Sequence, residues 1–108
     1  MPDALYCTTT AISSADRPRY RALTDRIIHT RQSTTELSDG YALELDPAIS
    51  LPEISEWLAF ERACCPFLHF TLELRPNDGP NNGPTILTLQ IPRHPHAKPF
   101  LRAEFNLP

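Results

Sequence analysis

Cys64 and Cys65 stand side by side, run directly into Pro66 and Phe67, and follow Glu61 by three and four residues. Soft sulfurs placed this way have three chemistries open to them. They can grip a soft metal, exchange disulfides, or pack as small apolar side chains. Cys7, near the amino terminus, is the remaining cysteine. Glu61 also lies four residues after Trp57, so on a helix it shares a face with the tryptophan and both thiols. If that face is buried, the carboxylate needs a hydrogen bond, a cation or a proton, because an unpaired buried charge is costly. Two readings of Glu61 are open. It belongs to a small polar site with the thiols, as ligand, base or orienting group, or it pairs with an arginine such as Arg17 or Arg102 or sits at the edge of the stripe.

The position of the pair narrows its chemistry. A helix carboxyl terminus raises a thiol pKa, and no C-x-x-C spacing is present, which both speak against a thioredoxin-like nucleophile. Metal binding suffers less, since the cation itself drives deprotonation. Zinc fits poorly, because its structural sites want four ligands and are not usually built on adjacent cysteines. A soft ion held by two or three sulfurs, such as Hg(II), Cu(I) or trivalent arsenic, fits better. The leading expectation is therefore soft metal or metalloid binding through Cys64 and Cys65, with Cys7 as third thiolate and Glu61 as neighbour. Sequestration, delivery or detoxification would be its purpose. No organic cofactor is indicated, and the ligand is a metal ion or another small thiol-reactive species.

Two alternatives stand beside this. One is a thiol-dependent enzyme using Cys64 or Cys65, with Glu61 managing a proton. The other is a structural or partner-binding module whose cysteines only pack, with an edge strand or loop carrying the interaction. Cys7, taken alone, reads as a core strand cysteine. It joins the pair only if the first strand passes the end of the second helix. The histidines add little: His69 is four residues past Cys65 on the polar side of its strand, His29 sits on a helix surface, and His94 and His96 flank Pro95 in a loop. Phosphate-loop, H-E-x-x-H and G-x-S-x-G patterns are absent from the sequence.

The elements that must position these residues can be read from periodicity. Ala4–Thr10 is expected to form a first strand. A helix follows, capped by Ser13 or Ser14, with Tyr20, Leu23, Ile27 and Ile28 on its apolar stripe and Pro18 near its start. Ser33–Thr35 favours irregular backbone. Asp39-Gly40 turns into a strand with Tyr41, Leu43 and Leu45 on one face. Ser50 and Glu53 make a capping box for a second helix carrying Ile54, Trp57, Leu58 and Glu61, which Pro66 stops near Cys65. Leu68, Phe70, Leu72 and Leu74 alternate on the next strand, and Leu87, Leu89 and Ile91 on a return strand after the Pro/Asn/Gly-rich loop 75–85. Phe100, Leu101, Glu104 and Phe105 mark a short closing helix, its start pushed late by Pro95 and Pro99. The expected fold is α+β, a single domain over residues 1–108. It is a two-layer sandwich with helices on one face of a small mixed or antiparallel sheet, in the order β-α-β-α-β-β-α.

Composition limits the function classes. A formal charge of -3, with 21% charged and 41% hydrophobic residues, argues against a nucleic-acid binder. The five arginines between Arg17 and Arg31 are interrupted by Asp25, as a solvated helix face would be. No apolar run approaches membrane-spanning length, and the first residues lack the features of a signal peptide. Few cysteines, odd in number, fit thiols kept reduced in a cytoplasm. Nothing in the sequence sets the oligomeric state.

The chain resembles a small, uncharacterised bacterial family. Its members carry an early cysteine, an Asp-Gly-Tyr-Ala-Leu-like strand, and a glutamate followed by Cys-Cys-Pro-Phe-Leu. Here these are Cys7, Asp39-Gly40-Tyr41-Ala42-Leu43, Glu61 and Cys64-Cys65-Pro66-Phe67-Leu68. The likeness runs from about Cys7 to Phe105. It implies Cys7, Glu61, Cys64 and Cys65 as site positions and implies no activity. Mercury-transport proteins are similar only in having paired cysteines.

Overall fold

Ser50 sets the start of the helix that carries the cysteine pair. The computed structural model describes residues 7–76 and 83–108. In it the Ser50 hydroxyl accepts from the Glu53 N–H, and the Glu53 carboxylate accepts in return from the Ser50 N–H at 3.0 Å. Pro52 lies in the first turn, where its missing N–H leaves no gap. This helix, α2 (Leu51–Cys64), buries Ile54, Trp57, Glu61 and Cys64. Ser50→Ala removes one acceptor of the reciprocal cap. Urea unfolding should show a loss of about 1 kcal/mol, with the circular dichroism of the folded state unchanged.

Two further α-helices accompany it among the described residues. α1 (Arg17–Ile28) has Pro18 in its first turn and buries Leu23, Ile27 and Ile28. Asp16, rather than Ser13 or Ser14, takes its cap position, and the Ser13 hydroxyl bonds the Asp16 carboxylate instead. α3 (Ala97–Phe105) buries Ala97, Leu101 and Phe105. It starts before Pro99, which falls in its first turn and so does not delay it.

Among the described residues the sheet has four strands, β1 (Ser33–Glu36), β2 (Gly40–Glu44), β3 (His69–Leu74) and β4 (Thr85–Gln90), in the order β1-β2-β4-β3. Every neighbouring pair is antiparallel. β2 and β3 both oppose β4, so they run parallel to each other, and α2 is the crossover that joins them. The register sets Tyr41 opposite Leu89 and Leu43 opposite Leu87, with Phe70 and Leu72 against the same two residues from the other side. That face meets the helices: Trp57 packs edge-on against Phe70 of β3 and Phe105 of α3. The result is the expected α+β sandwich. Gly40 abuts the β4 backbone at Leu89 and Gln90 so closely that a Cβ has no room.

Three expectations about elements are corrected. Ala4–Tyr6 lie outside the described residues, and the rest of the expected first strand is not a strand: Cys7 and Thr8 are irregular and Thr9–Ala11 form a 3-10 turn. The fourth strand comes instead from Ser33–Glu36, whose largely exposed side chains carry no apolar alternation to betray it. Its two threonines suit extended backbone, and pairing with β2 supplies the rest. Leu74, placed on the buried face by alternation, is 56% exposed as the last residue of β3, an edge strand. Positions 77–82 of the expected loop also lie outside the described residues.

Candidate functional site

The carboxyl end of α2 is where the chain returns to meet its own beginning. Pro66 blocks helical backbone at Cys65, which caps the helix at φ -127° and ψ 66° while its N–H still donates to Glu61 O at 2.7 Å. The last-turn carbonyl of Cys64 then accepts from the Thr8 N–H at 2.9 Å. This bond seats the segment before α1 against the helix end, and Ile12, 3% exposed, anchors it in the core. Cys7 is thereby carried to Cys65, and the two form a disulfide. Cys64 is the free thiol. Its Sγ lies 3.8 Å from that of Cys65 and donates to Glu61 Oε2 at 3.9 Å.

All four residues singled out from sequence therefore meet. One ligand atom from each of Cys7, Glu61, Cys64 and Cys65 lies within 4.8 Å of every other. Two sulfurs bound to one ion at about 2.3 Å and a tetrahedral angle stand roughly 3.8 Å apart, so the Cys64–Cys65 separation suits bridging by a single ion. The segment that delivers Cys7 passes the end of the second helix, as the three-sulfur reading required, though as irregular chain rather than strand. Cys64, Cys65 and Glu61 are each 0% exposed, whereas Cys7 is half-buried. Approach from solvent is therefore through Cys7.

Tyr20 of α1 completes the arrangement. Its hydroxyl donates to Glu61 Oε1, so the buried carboxyl is satisfied by a phenol and a thiol. The arginines considered for it lie elsewhere. Arg17 donates to Ile12 O, and Arg102 to the Tyr41 hydroxyl and Pro108 O. Tyr20 was legible only as one more residue of an apolar stripe. The available signal was the pairing of two needs: a half-buried tyrosine seeks a partner for its O–H, and a buried glutamate requires a donor.

Burial governs the electrostatics here. Desolvation pushes the Glu61 carboxyl up to about 7, partly offset by the Tyr20 bond and reinforced by the field of Glu104. The Cys64 thiol is pushed up to about 11, first by burial and then by Glu61. Burial also raises the Tyr20 phenol, with Glu61 adding to the effect. The corner thus favours neutral, protonated groups, a poor setting for a free nucleophilic thiolate. A cation that brings its own positive charge reverses that preference.

The histidines take no part among the described residues. His69 is exposed on β3, His29 approaches Asp25 at 3.6 Å, and His94 accepts from the His96 N–H ahead of α3. No helix among the described residues is long and apolar enough to cross a membrane. No family model, no curated protein and no solved structure matches the chain.

Proposed function

We propose that this protein captures a soft metal or metalloid ion through Cys7, Cys64 and Cys65, with Glu61 beside them. The observation that carries the reading is the gathering of three sulfurs and a carboxyl within 4.8 Å from segments more than fifty residues apart. Sulfur donors select soft ions over Mg(II) or Ca(II), which want oxygen cages. Capture by all three sulfurs belongs to the reduced protein, because a disulfide offers no thiolate. The enzyme alternative is weaker: a thiol pushed up to about 11 is almost wholly protonated near neutrality.

Titration of reduced protein with Hg(II) or Cu(I), followed by ultraviolet thiolate-to-metal bands, tests the reading. One ion per chain is expected. The same titration of oxidised protein should lose most of its affinity, and Cys64→Ser with Cys65→Ser should abolish tight uptake while the fold persists. Equal uptake by the double variant would sink the proposal. Thiols that resist both ions until the chain unfolds would leave the cysteines as packing and staple alone.

A further inference from the structure

Resting on that reading, we infer that the natural cargo is a trivalent oxyacid of the arsenite class, taken as a neutral three-sulfur complex. Coordination number points there first. Three sulfurs gather within 4.8 Å, two of them joined as a disulfide here, and once reduced they match a centre that forms three bonds and needs no fourth. Charge points there next. Three thiolates around a trivalent centre sum to zero, whereas three around Hg(II) leave one negative charge and around Cu(I) two. Cys64, Cys65 and Glu61 are fully buried, and net charge held out of water is costly. A carboxyl already present in the cluster makes added negative charge less welcome still.

The exchange also balances without a base from the protein. Arsenous acid, As(OH)3, carries its own proton acceptors. Each thiol replaces one hydroxide: an As–S bond forms, an As–O bond breaks, and the thiol proton departs on the hydroxide as water. Three exchanges give As(S-Cys)3 and three waters, with no net release of protons and no change of oxidation state.

The exchange needs all three thiols, so the Cys7–Cys65 bond must first be reduced by a small dithiol. One thiolate of that reagent attacks Cys7 Sγ, the half-exposed partner. Cys65 leaves as a thiolate and takes up a proton. The reagent's second thiolate then closes its own disulfide as Cys7 is released. Reduction does not scatter the donors, because the Thr8–Cys64 backbone bond and buried Ile12 still hold the Cys7 segment in place.

The test uses full-length protein reduced with a non-thiol phosphine and then freed of it under argon. Sodium arsenite is added and the intact mass measured under native conditions. The expected adduct is one arsenic with the loss of three hydrogens. All three cysteines become protected from alkylation, and unbuffered solution shows no net proton release. In Cys7→Ser the adduct keeps one hydroxyl on arsenic and dissociates roughly a hundredfold faster, since one linked donor is gone. Wild-type protein that loses only two hydrogens overturns the three-sulfur assignment without depending on any variant. Uptake of Hg(II) or Cu(I) with arsenite ignored overturns this inference and leaves the broader reading intact. Rejection of all three ions defeats both.

Discussion

Oxidised protein carrying Cys7→Ser is expected to unfold in urea with a stability about 4 kcal/mol below that of the wild type. The bond it removes joins residues 58 apart in sequence, and closing so long a span takes much conformational freedom from the unfolded chain. Neither cysteine is lone packing material in that form, so both single variants should lose the contribution of the bond. Under a strong reductant the wild type should drop towards Cys7→Ser, leaving only the small difference between a half-buried thiol and a hydroxyl. Cys65→Ser should remain somewhat worse even then, because its hydroxyl would be fully buried. Coincident urea curves for oxidised wild type and Cys7→Ser would mean that the bond does not form in solution.

Glu61→Gln is expected to stabilise the fold in alkaline solution and to do little in acid. The ordinary carboxyl value of 4.5 rises to about 7 in the folded protein, so the native state binds this proton more tightly than the unfolded chain does. The associated stability is fully present below 4.5 and is lost as pH climbs through 7. Between those limits the shift amounts to roughly 3 kcal/mol of differential stability. Glutamine stays neutral, keeps an oxygen for the Tyr20 hydroxyl, and escapes the penalty. Urea midpoints from pH 4 to 9 should show the variant pulling ahead of the wild type as pH rises from 4.5, with the gap levelling off above 7. Parallel profiles would show that Glu61 ionises without cost. Glu53 has the opposite sign and does not confuse the reading. Arg26 and the Ser50 cap hold it down to about 2, so its contribution is present above 4.5 and fades only as pH falls towards 2.

What could be read from sequence follows from which interactions are local. The capping box, the Pro66 stop and the Tyr41–Leu43–Leu45 alternation are decided within a few residues, and each appears where expected. The Ser33–Glu36 strand is decided by its neighbour across the sheet, and an edge strand with exposed faces leaves no periodic trace. Glu61 was legible as a buried acid because its helical face is fixed by Trp57 and Cys64. Its Tyr20 partner, 41 positions away, required the packing of α1 on α2. Cys7 is the same kind of case: its identity was readable, while its meeting with Cys65 depends on the path of the amino-terminal segment over the helix end. Position along the chain showed which groups were chemically capable, and tertiary packing decided their companions.

Among the described residues the strand pairings lie between Ser33 and Gln90, while Cys7 arrives on irregular chain outside them. Sheet and cysteine cluster are in this sense modular. Exchanging Cys7 alters the cluster without touching a strand residue, so on the proposed reading affinity for a cargo can drift, be lost or be rebuilt while strand alignment is inherited unchanged.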